Sequence, residues 1–225
     1  MAPLLVDENF EGAGYEESWT EVKGGSSTVD EDSAFPAAGL AGSGSQCLAC
    51  TINSTDVNAY AYKTLSGDQN IAYISYDFYG DVERLGNAEL VGVLAVLNSG
   101  GLPCCIVQWV ESGGNQYLRL GYYSGTAMNY TAVPKIFTLQ QWYRIEFRYD
   151  LTNSVWSWYR DEVLQDSGAL AAATRTPRII GVGLNGHTAG DGTTRCYIDQ
   201  VHWNTERYMG FARNRIRKVK AVGLI

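Results

Sequence analysis

Few side chains in this sequence are spaced for chemistry, and the carboxylates come first. A retaining glycosidase holds two carboxyl groups about 5–5.5 Å apart, which on a strand requires acids at alternate positions so that they share a face. No Glu-x-Asp-x-Glu run or its one-residue-longer form occurs. The nearest approaches are Asp30-Glu31-Asp32, in a polar stretch ahead of Pro36, and Asp81-Val82-Glu83 after Gly80; both read as solvated loop charges. There are two histidines. His187 falls in the glycine-rich loop Asn185-Gly186-His187-Thr188-Ala189-Gly190-Asp191-Gly192, a place from which an imidazole could meet a ligand. His202, beside Trp203, reads as structural. The chain has no Gly-x-Ser-x-Gly, no phosphate-cradling loop and no metalloprotease helix.

The five cysteines, at 47, 50, 104, 105 and 196, cannot all pair within one chain. Cys47-x-x-Cys50 has the spacing of a metal knuckle, but the other thiol pair, Cys104-Cys105, is adjacent, and adjacent strand residues point to opposite faces. Buried thiols in strands are expected, because free cysteine behaves as a small hydrophobe. One disulfide stays open, with its partners undetermined.

The elements that must position these groups are strands. Across Trp142 to Asp150, Tyr143, Ile145, Phe147 and Tyr149 alternate with Arg144, Glu146 and Arg148, one face apolar and the other charged. The turn residues 150–154 then lead into Val155–Arg160, and Asp161-Glu162 turns the chain again, which predicts an antiparallel meander. Similar runs at 45–53, 57–65, 71–79, 89–97, 104–111, 116–123, 178–184 and 195–203 are separated by Gly-, Ser- and Asn-rich turns. More than ten strands exceed what one twisted sheet holds without splitting, so the expected fold is all-β, a two-sheet antiparallel jelly-roll sandwich. Only Gly168 to Thr174 hints at a helical turn.

Residues 1–204 read as one sandwich domain and 205–225 as a basic-apolar C-terminal arm. Arg207, Arg213, Arg215, Arg217, Lys218 and Lys220 follow Glu206 with no acid among them, so residues 1–206 hold all 24 acids with the remaining 11 bases. Such a body is a poor match for nucleic acid, which needs a basic face. No run of 18 apolar residues is present to span a bilayer. Met1 to Glu11 lacks the basic and apolar regions of a signal peptide.

Three segments carry a resemblance. Leu5-Val6-Asp7-Glu8-Asn9-Phe10-Glu11-Gly12 followed by Trp19 is similar to the entry of concanavalin A-like or laminin-G-like jelly rolls, the fold of lectins, glycanases and carbohydrate-binding modules. Trp142 to Phe147 through Trp158-Tyr159-Arg160-Asp161 resembles their paired central strands, with Glu162 where relatives prefer Gly. Cys196 to Trp203 resembles their closing strand, which pairs beside the opening one. Together these segments reach from about residue 5 to 203.

The resemblance implies a glycan ligand, held by flat rings against the apolar face of a sugar with planar polar donors at its edge. The candidates are Trp109, Tyr117, Arg119, Tyr123, Trp156 and Trp158, with Asn185, His187 and Asp191 from a loop. It further implies a structural Ca²⁺ where opening and closing strands meet, for which Glu8, Glu11 and Asp199 are the matching groups by position. Lyases of this architecture use Tyr, His, Gln and Arg; with two histidines and no carboxylate pair, a non-catalytic protein is expected. A displayed fold without an export signal suits a virion surface or decoration protein. Its arm, through Arg207, Arg213, Arg215, Arg217, Lys218 and Lys220, would dock to capsid or tail subunits, in a homo-oligomer or larger assembly. A stand-alone carbohydrate-binding module is the alternative, ahead of a glycan hydrolase or lyase.

Overall fold

The computed structural model of the chain describes residues 4–11, 15–33, 45–53, 56–82, 90–131, 135–170, 175–186 and 193–206. Sixteen strands alternate along them: β1 (Val6–Glu8), β2 (Thr20–Lys23), β3 (Thr28–Asp32), β4 (Cys47–Ile52), β5 (Asn58–Thr64), β6 (Ile71–Val82), β7 (Leu90–Leu97) and β8 (Pro103–Ser112). Then come β9 (Asn115–Tyr123), β10 (Met128–Tyr130), β11 (Lys135–Ile136), β12 (Trp142–Asp150), β13 (Val155–Arg160), β14 (Val163–Ala169), β15 (Ile179–Asn185) and β16 (Thr194–Asn204). The first sheet runs β14-β13-β12-β6-β16-β4-β3 with β1 also on β16; the second runs β10-β9-β8-β7-β15-β5-β2 with β11 on β9. Every pairing is antiparallel. This is the two-sheet sandwich expected from the alternation.

The two inner faces supply the core. From the first sheet come Ile74, Tyr76, Phe78, Ile145, Phe147, Tyr149, Trp158, Val201 and Trp203; from the second, Val107, Trp109, Leu118, Leu120, Ile180, Val182 and Leu184. Phe78, Trp109 and Phe137 meet edge to face, with ring centroids 5.6–5.9 Å apart, the geometry favoured by aromatic quadrupoles. The opening and closing strands pair as the resemblance implied, Val6 opposite Trp203 and Glu8 opposite Val201.

Several local expectations change. Gly168 and Ala169 close β14 rather than start a helical turn, because Gly168 must leave room for Trp156, whose ring would sit 2.9 Å from an added Cβ. Asp81 is not a loop charge: it lies in β6, is buried, and accepts a hydrogen bond from Arg195 Nε at 2.7 Å. Asp30, Glu31 and Asp32 form edge strand β3. All five cysteines are buried and none is in a disulfide, Cys50 standing directly opposite Cys196. Glu83, the hinted helical residues after Leu170, His187, Asp191 and the arm from Arg207 lie outside the described residues.

Candidate functional site

The outward face of the second sheet is a trough. Strand alternation places Tyr117, Arg119, Gly121 and Tyr123 of β9 away from the core residues Leu118 and Leu120. Register then carries one row across the sheet: Gly121 opposite Ile106, Ile106 opposite Ala95, Ala95 opposite Gly181, and Gly181 opposite Tyr62. Four strand steps of about 4.8 Å make this row roughly 19 Å wide. Its middle is small: Ala95, Gly181 and, one row along, Gly92 opposite Gln108. Its sides are aromatic. Tyr60 and Tyr62, with ring centroids 6.5 Å apart, stand on β5. On β10 the Tyr130 ring lies over Gly121, where an added Cβ would be 2.7 Å from Cε1. Only glycine allows that ring position.

Polar groups line the same surface. Arg119 donates from Nε to Gln108 Oε1 at 2.8 Å, and its guanidinium lies 4.4 Å from the Tyr130 ring centroid. Arg175 stacks on Tyr123 at 3.6 Å. At the far end Asn185 stands opposite Asn58. Tyr117, Arg119, Tyr123 and Asn185 are thus brought to one face as candidate sugar contacts. Tyr60, Tyr62, Gln108 and Tyr130 join them although sequence reasoning passed over them.

Three candidates require correction. Trp109, Trp156 and Trp158 are buried between the sheets, Trp109 and Trp158 with no exposure, and Trp156 is stacked on Tyr122 at 4.4 Å. Each sits on the inner side of its strand, so none offers a ring to a ligand.

The outward face of the first sheet is polar but closed. Arg144 on β12 is its hub: NH1 donates to Asp77 at 2.7 Å, NH2 to Ser75 at 3.0 Å, and Nε lies 3.7 Å from Glu146. Burial raises the Glu146 carboxyl above its usual range, against the pull of Arg144. His202 Nδ1 lies 2.7 Å from Asp7, the structural position expected of it. At one end Tyr79, Trp142 and Tyr197 gather over Cys47 and Ala49. A bulge in β16 between Asp199 and His202, with Gln200 at φ 52°, turns both side chains onto this face. Ser75, Asp77, Arg144, Glu146, Asp199, His202 and Asn204 are all buried there.

The calcium expectation gains no support from this arrangement. Glu8 spends one oxygen on Phe10 N–H and the other on Trp19 Nε1, both at 3.0 Å. Glu11 accepts from the Ser45 and Gln46 N–H groups and from Ser45 Oγ, which holds its carboxyl below the usual range. Asp199 faces Asp77 across the strands. Among the described residues no cluster of three or more metal-ligating side chains forms.

Comparison with known proteins finds the fold and not a close relative. No family model matches the sequence, and no curated protein matches it. Among solved structures, a cellulose-induced protein, Cip1, superposes with TM-score 0.67 at 13% identity, over 90% of this chain and 98% of that one. A sialidase gives 0.62 at 11% identity over 89% of this chain, which spans only 18% of the sialidase. The alginate lyase AlyC3 gives 0.56 at 10% identity, over 72% and 75%. The fold is a concanavalin A-like jelly roll. Identities this low carry architecture alone, so what this jelly roll binds is argued from its own side chains. Among the described residues no helix of the jelly roll is long and apolar enough to cross a membrane.

Proposed function

We propose that this jelly roll is a non-catalytic glycan-binding protein whose ligand lies in the trough of the second sheet. The carrying observation is the pairing of Tyr60 and Tyr62 with Tyr130 across a floor of Ala95, Gly181 and Ile106. A pyranose has an apolar C–H face and a hydroxyl edge; tyrosine rings offer the first an apolar surface, and Gln108, Arg119 and Asn185 offer the second planar donors. Hydrolysis by a carboxylate pair has no candidates here, since none of the described residues facing the trough is Asp or Glu. The likeness to a sialidase and an alginate lyase supports the reading as architecture known to serve glycans.

The arm enters this proposal on sequence alone. Its six bases and apolar residues suit docking to an acidic partner in an assembly, and a virion surface is the setting we infer for it. The test of the central reading is a glycan array probed with the whole chain, its Tyr62→Ala and its Tyr130→Ala variants. Binding by the wild type and its loss in both variants is expected. Equal binding by all three would refute the trough as the site, and turnover of any bound glycan would refute the non-catalytic assignment.

A further inference from the structure

The two outward faces of the sandwich differ in where their acids lie, the first holding them beside Arg144, Arg148 and Arg195. The first sheet turns Asp77, Asp81, Glu146, Asp150 and Asp199 outward, each buried among its neighbours. On the second sheet, the described strand positions facing the trough hold no carboxylate at all, in a chain with 24 acids and a net charge of −7. The charged groups set against its aromatic walls are both guanidiniums, Arg119 on Tyr130 and Arg175 on Tyr123.

Arg119 is held so that part of it stays open. Nε is occupied by Gln108 Oε1, and stacking on Tyr130 fixes the guanidinium plane. Its two terminal nitrogens have no hydrogen-bond partner among the described residues, which leaves them open to an acceptor. Arg175 differs, because its NH1 donates to Pro103 C=O at 2.8 Å. The planar N–H fork of arginine matches a carboxylate in two parallel hydrogen bonds. An acid-free surface also spares such a ligand the repulsion it would meet elsewhere on this protein.

We propose that the trough selects glycans bearing carboxylates, with Arg119 reading the carboxylate while the tyrosines hold the sugar rings. This rests on the glycan reading and narrows it to one ligand class. Uronates and sialates present the same group, and the experiment separates them. Calorimetry of the full chain would compare three matched pairs: tetramannuronate with mannotetraose, tetragalacturonate with the neutral tetragalactose, and sialyllactose with lactose. At least one acidic member should bind tenfold or more tightly than its neutral partner. That preference should weaken with added salt and disappear in Arg119→Ala, which should lose at least tenfold more affinity for the acidic member than for its neutral partner while the chain still unfolds cooperatively. Neutral members binding as well as acidic ones would overturn the carboxylate proposal and leave glycan binding standing. A sulfated glycan preferred over every carboxylated one would overturn it too. Failure of all six to bind would bring down the proposal together with the reading beneath it.

Discussion

Asp199 and Asp77 stand directly opposite each other on β16 and β6, both without solvent exposure, and only Asp77 is matched by a base. Arg144 binds Asp77 Oδ1, whereas Asp199 is hydrogen-bonded by Gln200, from its N–H at 2.7 Å and from its side chain. Its Oδ2 has no partner among the described residues. Burial, with Asp77 and Glu11 nearby, pushes the Asp199 carboxyl up to about 7. The folded chain therefore keeps a proton that the unfolded chain, with an aspartate near 3.9, has already lost. Stability from this group is present below about pH 4 and lost as pH rises toward 7. In buffer free of divalent cations, Asp199→Asn should raise stability at pH 8 by up to about 4 kcal/mol and hardly change it at pH 4. Urea titrations at both values measure this; an equal effect at both would contradict it.

Arg144 is the compensating charge for this face. Arg144→Ala would leave Asp77 and Glu146 buried without it, a change that costs about 3–5 kcal/mol where an ion pair is broken from one side. Arg144→Met combined with Asp77→Asn should recover a large part of that loss. A double-mutant cycle by denaturant unfolding reads the coupling, and strict additivity would show that the bridge is not the stabilising contact.

Two places with positive φ give backbone tests. Asp161 and Glu162 both have positive φ, 49° and 70°, the signature of a two-residue type I′ hairpin turn. Asp161 tolerates this conformation and also accepts from Arg144 N–H at 2.8 Å, but Glu162 gains no such compensation from that bond. Glu162→Gly should stabilise by about 1 kcal/mol, visible as a rise of roughly 2–4 °C in melting temperature. Gly183 is the opposite case. At φ 111° an added Cβ would lie 2.6 Å from Cys50 Sγ and 2.7 Å from Ala59 O. Gly183→Ala should therefore lower the urea midpoint by an amount that places it among severely destabilising changes, above about 4 kcal/mol; a midpoint near wild type would contradict the close packing of β15 on β4.

The sequence showed its fold wherever alternation was clean. Tyr143, Ile145, Phe147 and Tyr149 occupy the inner side of β12 while Arg144, Glu146 and Arg148 face outward, as their period of two requires. The site was less legible, for several physical reasons. In β8, Val107-Gln108-Trp109-Val110 is nearly all apolar, so the inner side of Trp109 leaves no alternation signal. In β13, Trp156, Ser157 and Trp158 alternate, but the pattern alone does not say which side is core. The trough floor is formed by glycines and an alanine, whose significance lies in the missing side chains. The bulge at Gln200 reverses the alternation of β16, which sequence period cannot anticipate. Tyr60 and Tyr62 carried no mark separating them from the other tyrosines until register set them opposite Gly183 and Gly181.

Gly181 offers the most direct measurement. Its φ is not positive, and an added Cβ would meet Tyr60, Ala61 O and Tyr62 at 3.7–3.8 Å, ordinary contact distances, so a Cβ can be added without disturbing the strand. Gly181→Leu fills the trough floor and leaves the core alone. Calorimetric titration with the glycan that the wild type binds should then show at least a tenfold loss of affinity at an unchanged melting temperature. Full affinity in this variant would mean that the ligand lies elsewhere on the protein.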